Sequence, residues 1–120
     1  MSEIYENEML GIRGHVELTH YEDRLKLVIG PELYPLALEI LTETATTGSL
    51  TREALVALLK GYEFAERNVR EASEEIMRVL EHDGYIKSGK DGYVFESHLL
   101  KDWWGKRYGY FYVPVLERGI

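Results

Sequence analysis

The stretch Glu66–Phe95, ERNVREASEEIMRVLEHDGYIKSGKDGYVF, changes its hydrophobic period once. Up to Leu80 the apolar residues Val69, Ala72, Ile76, Val79 and Leu80 recur at three- and four-residue steps, which places them on one face of a helix. Asp83-Gly84 closes that pattern. Beyond it, Tyr85-Ile86-Lys87 and Tyr93-Val94-Phe95 read as two short strands around the glycine-rich turn Ser88-Gly89-Lys90-Asp91-Gly92, the signature of a hairpin. The spacing predicts one helix over 66–82 that runs directly into a two-stranded hairpin with its turn at 88–92.

Upstream, Thr51 is a good N-cap for a shorter helix whose buried face is Leu55, Leu58 and Leu59. Lys60-Gly61 marks its end and Tyr62–Ala65 the turn into the long helix. Ser49-Leu50 is a candidate for a minimal first strand. Further upstream, Leu18, Tyr21, Leu25 and Val28 form one helical stripe, and Leu33, Leu36, Ala37, Ile40 and Leu41 form a second. Gly30-Pro31 separates the two, with Pro31 at a first helical position. The second helix is expected to fade across Thr44–Thr47 and end near Gly48. Downstream, Ser97 caps a last helix with Leu99, Leu100, Trp103, Trp104 and Tyr108 on its apolar side.

A two-helix unit cannot bury its apolar faces alone, and further helices on one side with a hairpin on the other complete a single core. The fold class read from this order is mainly α: a winged helix-turn-helix, that is, a helical bundle with a small antiparallel β-hairpin wing. Residues 1–14 read as a flexible lead-in, 15–112 as the winged-helix domain with an N-terminal helical extension, and 113–120 as a tail.

The 120 residues suit one domain. With no cysteine, disulfides, thiolate metal sites and thiol catalysis are excluded. No apolar run reaches the ~20 residues that span a bilayer, and the acidic start MSEIYENEML does not resemble a signal peptide; a cytoplasmic location is expected. The formal net charge is −7, unevenly spread. Residues 1–48 carry nine acids against three bases, 49–84 eight against five, and 85–120 four against six. An acidic chain holds a phosphate backbone poorly, so only the last third favours such binding.

In a DNA-binding helix-turn-helix the second helix enters the major groove and presents Arg, Lys, Asn or Gln from its N-terminal end. Arg67, Asn68 and Arg70 stand there, with Lys87 and Lys90 on the wing, and these five are the candidate nucleic-acid contacts. Glu71, Glu74 and Glu75 lie one turn further and repel phosphate, so DNA is disfavoured as a partner and a solvated face or a protein-contact face is preferred. The C-terminal region interleaves Lys101, Lys106 and Arg107 with Trp103, Trp104, Tyr108, Tyr110, Phe111 and Tyr112. Such a mixture serves nucleic acid, a protein interface or the core; Trp104, Tyr108, Tyr110 and Tyr112 are the candidate protein-interface residues. His15, His20, His82 and His98 match no metal-ligand spacing, and neither a phosphate-binding loop nor a nucleophile elbow is present. The expectation is a non-enzyme with no metal and no cofactor.

His82-Asp83-Gly84-Tyr85-Ile86, Asp91-Gly92-Tyr93-Val94-Phe95 and Ser97-x-Leu99-Leu100-x-Asp102-Trp103-Trp104 together resemble the "HDGY…GYxFxSxLLRDWW" run in the C-terminal winged helix of prokaryotic STAND/AAA-like ATPases. Tyr21-x-x-Arg24-Leu25-x-x-Val28-x-Gly30 is similar to the helix leading into that domain, so the resemblance covers about residues 15–108. Lys101 stands where that run has Arg. The resemblance implies that Gly84 ends the long helix, that Tyr85 and Phe95 pack the wing on the bundle, and that Leu99, Leu100 and Trp103 seat the final helix. It also implies an adjacent ATPase domain as partner. The nucleotide-binding module is not in this sequence, so ATP hydrolysis does not carry over. The resulting expectation is a non-catalytic regulatory or protein-interaction domain, with a DNA-binding regulator using helix 66–82 and the 85–95 wing as the alternative.

Overall fold

The computed structural model of the chain describes residues 15–64 and 68–118. Its elements follow the order α1 (His15–Ile29), α2 (Tyr34–Thr47), α3 (Arg52–Leu59), α4 (Val69–His82), β1 (Ile86–Ser88), β2 (Tyr93–Phe95) and α5 (His98–Tyr108), with a 3-10 turn at Val115–Glu117. This is a mainly α fold with one antiparallel hairpin, a winged helix-turn-helix. The predicted lead-in, residues 1–14, lies outside the described residues.

The hairpin pairs Ile86 with Phe95, Lys87 with Val94 and Ser88 with Tyr93, so its strands start one residue later on the first side than the sequence indicates. Leu50 adds a third, single-residue strand: its N–H donates to the Tyr93 carbonyl at 2.7 Å and its carbonyl accepts from the Tyr93 N–H at 3.0 Å. That bridge ties the start of the helix-turn-helix to the wing. Thr51 caps α3 through its hydroxyl, which accepts from the Ala54 N–H at 3.1 Å, and Ser97 does the same for α5, accepting from the Leu100 N–H at 3.2 Å.

Helix α2 is the centre of the molecule, packed on α1, α3, α5 and β2. Leu36, Ala37, Ile40 and Leu41 are fully buried along it. It starts at Tyr34 rather than Pro31; Pro31–Leu33 forms a turn, and Pro35 takes the early helical position where a missing N–H costs nothing. It also persists through Thr47. The hydroxyls of Thr42, Thr44 and Thr47 donate to the carbonyls of Leu38, Ile40 and Glu43 at 2.7–2.8 Å, which accommodates β-branched residues in a helix that tertiary packing already holds.

Helix α4 begins at Val69, later than predicted, and packs on α1, α3 and β1. Ala72, Ile76 and Leu80 are wholly buried, together with Ser73 and Met77. Because Ile76 and Leu80 are both 0% exposed at the middle of the core, truncating either to alanine is expected to cost about 2–5 kcal/mol. Urea melts check this, and a loss below about 1 kcal/mol for both is incompatible with that burial.

Three predicted faces are corrected. In α1 the inward stripe is Leu18, Glu22 and Leu25, while Tyr21 and Val28 are exposed. In α3 the buried residues are Ala54 and Leu58, and Leu55 and Leu59 are only half-buried. On α5, Leu100, Trp103 and Trp104 point inward but Leu99 is exposed.

Candidate functional site

The face that a DNA-binding helix-turn-helix turns to the duplex is formed here by α3 and α4. Between them runs an open groove of about 570 Å³. Leu55, Val56, Leu59 and Val69, with the buried Ser73, supply its floor, and Arg52, Lys60, Arg70 and Glu74 its rim. The position of Ala54 and Leu58 explains it: with the two of them turned into the core, the rotation of α3 leaves Leu55 and Leu59 at the margin and Val56 46% exposed.

The five candidate nucleic-acid contacts fall into four situations. Arg67 lies outside the described residues. Asn68 is the N-cap of α4, its Oδ1 accepting from the Arg70 N–H at 2.7 Å, so that oxygen serves the helix end. The Arg70 guanidinium lies 3.7 Å from the Glu74 carboxylate one turn along. Lys87 and Lys90 are exposed on the wing.

The C-terminal aromatic residues also separate. Trp104 is fully buried and belongs to the core, with Trp103 beside it at a ring-centroid distance of 5.6 Å. Tyr108 is half-buried and donates its hydroxyl to Glu22. Tyr112, also half-buried, donates to Glu43 at 2.6 Å. Only Tyr110 of the four stands in the open, 85% exposed and edge-to-face with Phe111.

Those hydroxyl contacts lead to two buried carboxylates that helical periodicity did not single out. Glu43 is 2% exposed; its Oε1 accepts from Tyr112 and from the Val115 N–H at 2.9 Å. One turn earlier, Glu39 accepts from the Tyr62 hydroxyl at 2.6 Å and from Arg118 at 2.8 Å. Together they fasten residues 112–118 along α2, and the 3-10 turn rests against α3. The segment read as a tail from residue 113 is thus packed on the bundle.

Glu22 is 3% exposed. It accepts from the Arg107 Nε at 2.8 Å as well as from Tyr108, with Lys26 Nζ 3.6 Å away. Burial pushes its pKa up, but the hydrogen bonds from Tyr108 and Arg107 and the charges of Arg107 and Lys26 outweigh burial and hold it below the ordinary carboxylate value. A carboxylate with a depressed folded-state pKa contributes stability above its unfolded pKa and loses it as pH falls through the folded value. Glu22→Gln is therefore expected to destabilise the chain by about 1–3 kcal/mol at neutral pH. The gap between wild type and variant should narrow below the ordinary carboxylate range. Urea midpoints across an acid pH series check this; a gap independent of pH contradicts it.

Among the described residues, no three His, Asp or Glu side chains are grouped to hold a metal ion, and no helix is long and apolar enough to cross a membrane. No protein-family model, no curated protein and no solved structure matches the chain.

Proposed function

We propose that this chain is a non-catalytic winged-helix domain that binds a protein through its helix-turn-helix face. The observation that carries this reading is the apolar groove of Leu55, Val56, Leu59 and Val69 between α3 and α4. Contiguous exposed apolar surface rimmed by polar residues marks interaction sites. The acid-rich outer positions of α4, where Glu71 and Glu74 are exposed, weigh in the same direction. The resemblance of the wing and last helix to the C-terminal region of prokaryotic ATPases makes an ATPase domain a candidate partner, in the same chain or another, in a cytoplasmic setting.

Two experiments test the proposal. A photo-crosslinking residue at Val56, in the cell that encodes the protein, is expected to give protein adducts, whereas the same residue at Lys87 is not. Nucleic-acid adducts at Val56, or equal protein adducts at both positions, contradict it. In parallel, the purified chain is expected to show no tight, sequence-specific DNA binding at ~0.15 M salt. The assay is fluorescence anisotropy with duplexes selected from a random pool. A selected duplex bound with submicromolar Kd, and lost on changing Arg67 and Arg70 to alanine, would establish the DNA-binding regulator instead.

A further inference from the structure

We infer that the partner segment received by the α3–α4 groove is a short amphipathic helix with acidic flanks, an inference that rests on the protein-binding reading above. The groove has two properties that select an occupant. Its floor is mostly aliphatic, with Leu55, Val56, Leu59 and Val69 beside the buried Ser73 and no aromatic ring among the lining residues. Among the described residues its rim carries three bases, Arg52, Lys60 and Arg70, against the acid Glu74, on a molecule whose net charge is −7. This is a local basic margin on an acidic protein.

The dimensions set the length of the occupant. Helix α3 has eight residues, so at ~1.5 Å per residue it is about 12 Å long. A partner helix lying along it engages about two turns, with aliphatic anchors at i, i+4 and i+7. Arg52 stands at the start of α3 and Lys60 immediately after its end, so the basic side chains bracket the aliphatic floor. Carboxylates flanking the anchors meet them. Arg70 is the weakest of the three for this purpose because Glu74 lies 3.7 Å from its guanidinium.

The overall negative charge repels an acidic partner at distances beyond the contact, while the rim attracts it within about a Debye length, ~8 Å at physiological salt. Recognition is then short-ranged and depends on the apolar anchors reaching the floor. A basic amphipathic helix gains long-range attraction but meets like charges at both ends of the groove. A nucleic acid gains neither the long-range attraction nor any use for the aliphatic floor.

The test uses the full chain and a fluorescein-labelled helical peptide of about fourteen residues with leucines at i, i+4 and i+7 and glutamates on both flanks. Two control peptides replace the leucines by alanine or the glutamates by lysine. The acidic leucine peptide is expected to bind with a Kd of about 100 μM or tighter, and each control at least about tenfold more weakly. Val56→Glu, at an exposed position, is expected to weaken it by about tenfold or more while the chain stays folded by circular dichroism. The double change Arg52→Glu with Lys60→Glu is expected to invert the preference toward the lysine peptide.

No binding of the acidic peptide at about 1 mM overturns the inference. So does equal binding of the lysine peptide to wild type, or binding that Val56→Glu leaves intact. These failures are separable from failure of the broader reading. Protein crosslinks at Val56 without peptide selectivity leave the protein-binding role standing and remove the acidic helix, whereas nucleic-acid adducts there remove both.

Discussion

Replacing Trp104 by alanine is expected to destabilise the chain by about 3–5 kcal/mol, among the largest costs for any single side chain in this fold. Trp104 is 0% exposed. Its ring lies 5.6 Å from that of Trp103 and 5.5 Å from that of Tyr108, and α5, which carries it, packs on α1, α2 and β2. Truncation opens a void where several elements meet, and a close-packed interior relaxes into such a void only in part. Tryptophan here also has a cost. Its Nε1–H is buried and finds no acceptor among the described residues, and a buried donor without a partner costs about 1–3 kcal/mol. Trp104→Phe removes that donor along with part of the ring, so its two effects oppose each other. Its expected net cost is under about 2 kcal/mol. Denaturant melts of the two variants give the comparison. A phenylalanine variant as damaged as the alanine variant means the indole N–H is satisfied in solution.

Gly92→Ala is expected to cost about 2–6 kcal/mol, from backbone strain together with overpacking. Gly92 has a φ of +153°, which side-chain-bearing residues rarely adopt, and an added Cβ would lie 2.2 Å from the Leu50 carbonyl oxygen and 2.8 Å from its carbon. Both atoms are backbone, held by the Leu50–Tyr93 bridge that joins the helix-turn-helix to the wing, so neither yields without breaking the bridge. Gly84 provides the control. Its φ is +83°, but nothing lies within 4 Å of an added Cβ, so Gly84→Ala carries only the left-handed backbone cost of about 1–2 kcal/mol. The Gly92 variant should therefore be the less stable of the two by more than about 1 kcal/mol. It should also show lost protection of the Leu50 and Tyr93 amides in hydrogen exchange. Equal stability of the two variants contradicts the close approach of Leu50.

What the linear sequence determined is the order and type of the elements. The change from helical to strand period at Gly84, the caps Thr51 and Ser97 and the apolar stripe of α4 are local signals, and each is realised where its residues stand. Even the single-residue strand at Leu50 falls within Ser49-Leu50, the minimal strand that the sequence offers. Tertiary structure decided which face of each helix is inside. Glu22 takes an inward position in α1 because Arg107 and Tyr108, some 85 residues later, satisfy it; Tyr21 is correspondingly displaced outward. A periodicity count assigns a carboxylate to solvent and has no means of weighing partners on a distant helix.

The groove was hidden for the same reason. Leu55, Leu58 and Leu59 look like a single core stripe, but Ala54 and Leu58 are the buried pair while Leu55 and Leu59 do not reach full burial. The available signal was Val56, an apolar residue outside the stripe in an eight-residue helix. Its exposure became meaningful only when α4 was placed alongside. The C-terminal segment makes the same point, because Tyr112 and Arg118 find Glu43 and Glu39 across about 70–80 residues of chain. Helical and strand periods are set by neighbouring residues, whereas burial and charge pairing are set by whatever the completed fold brings within a few ångströms.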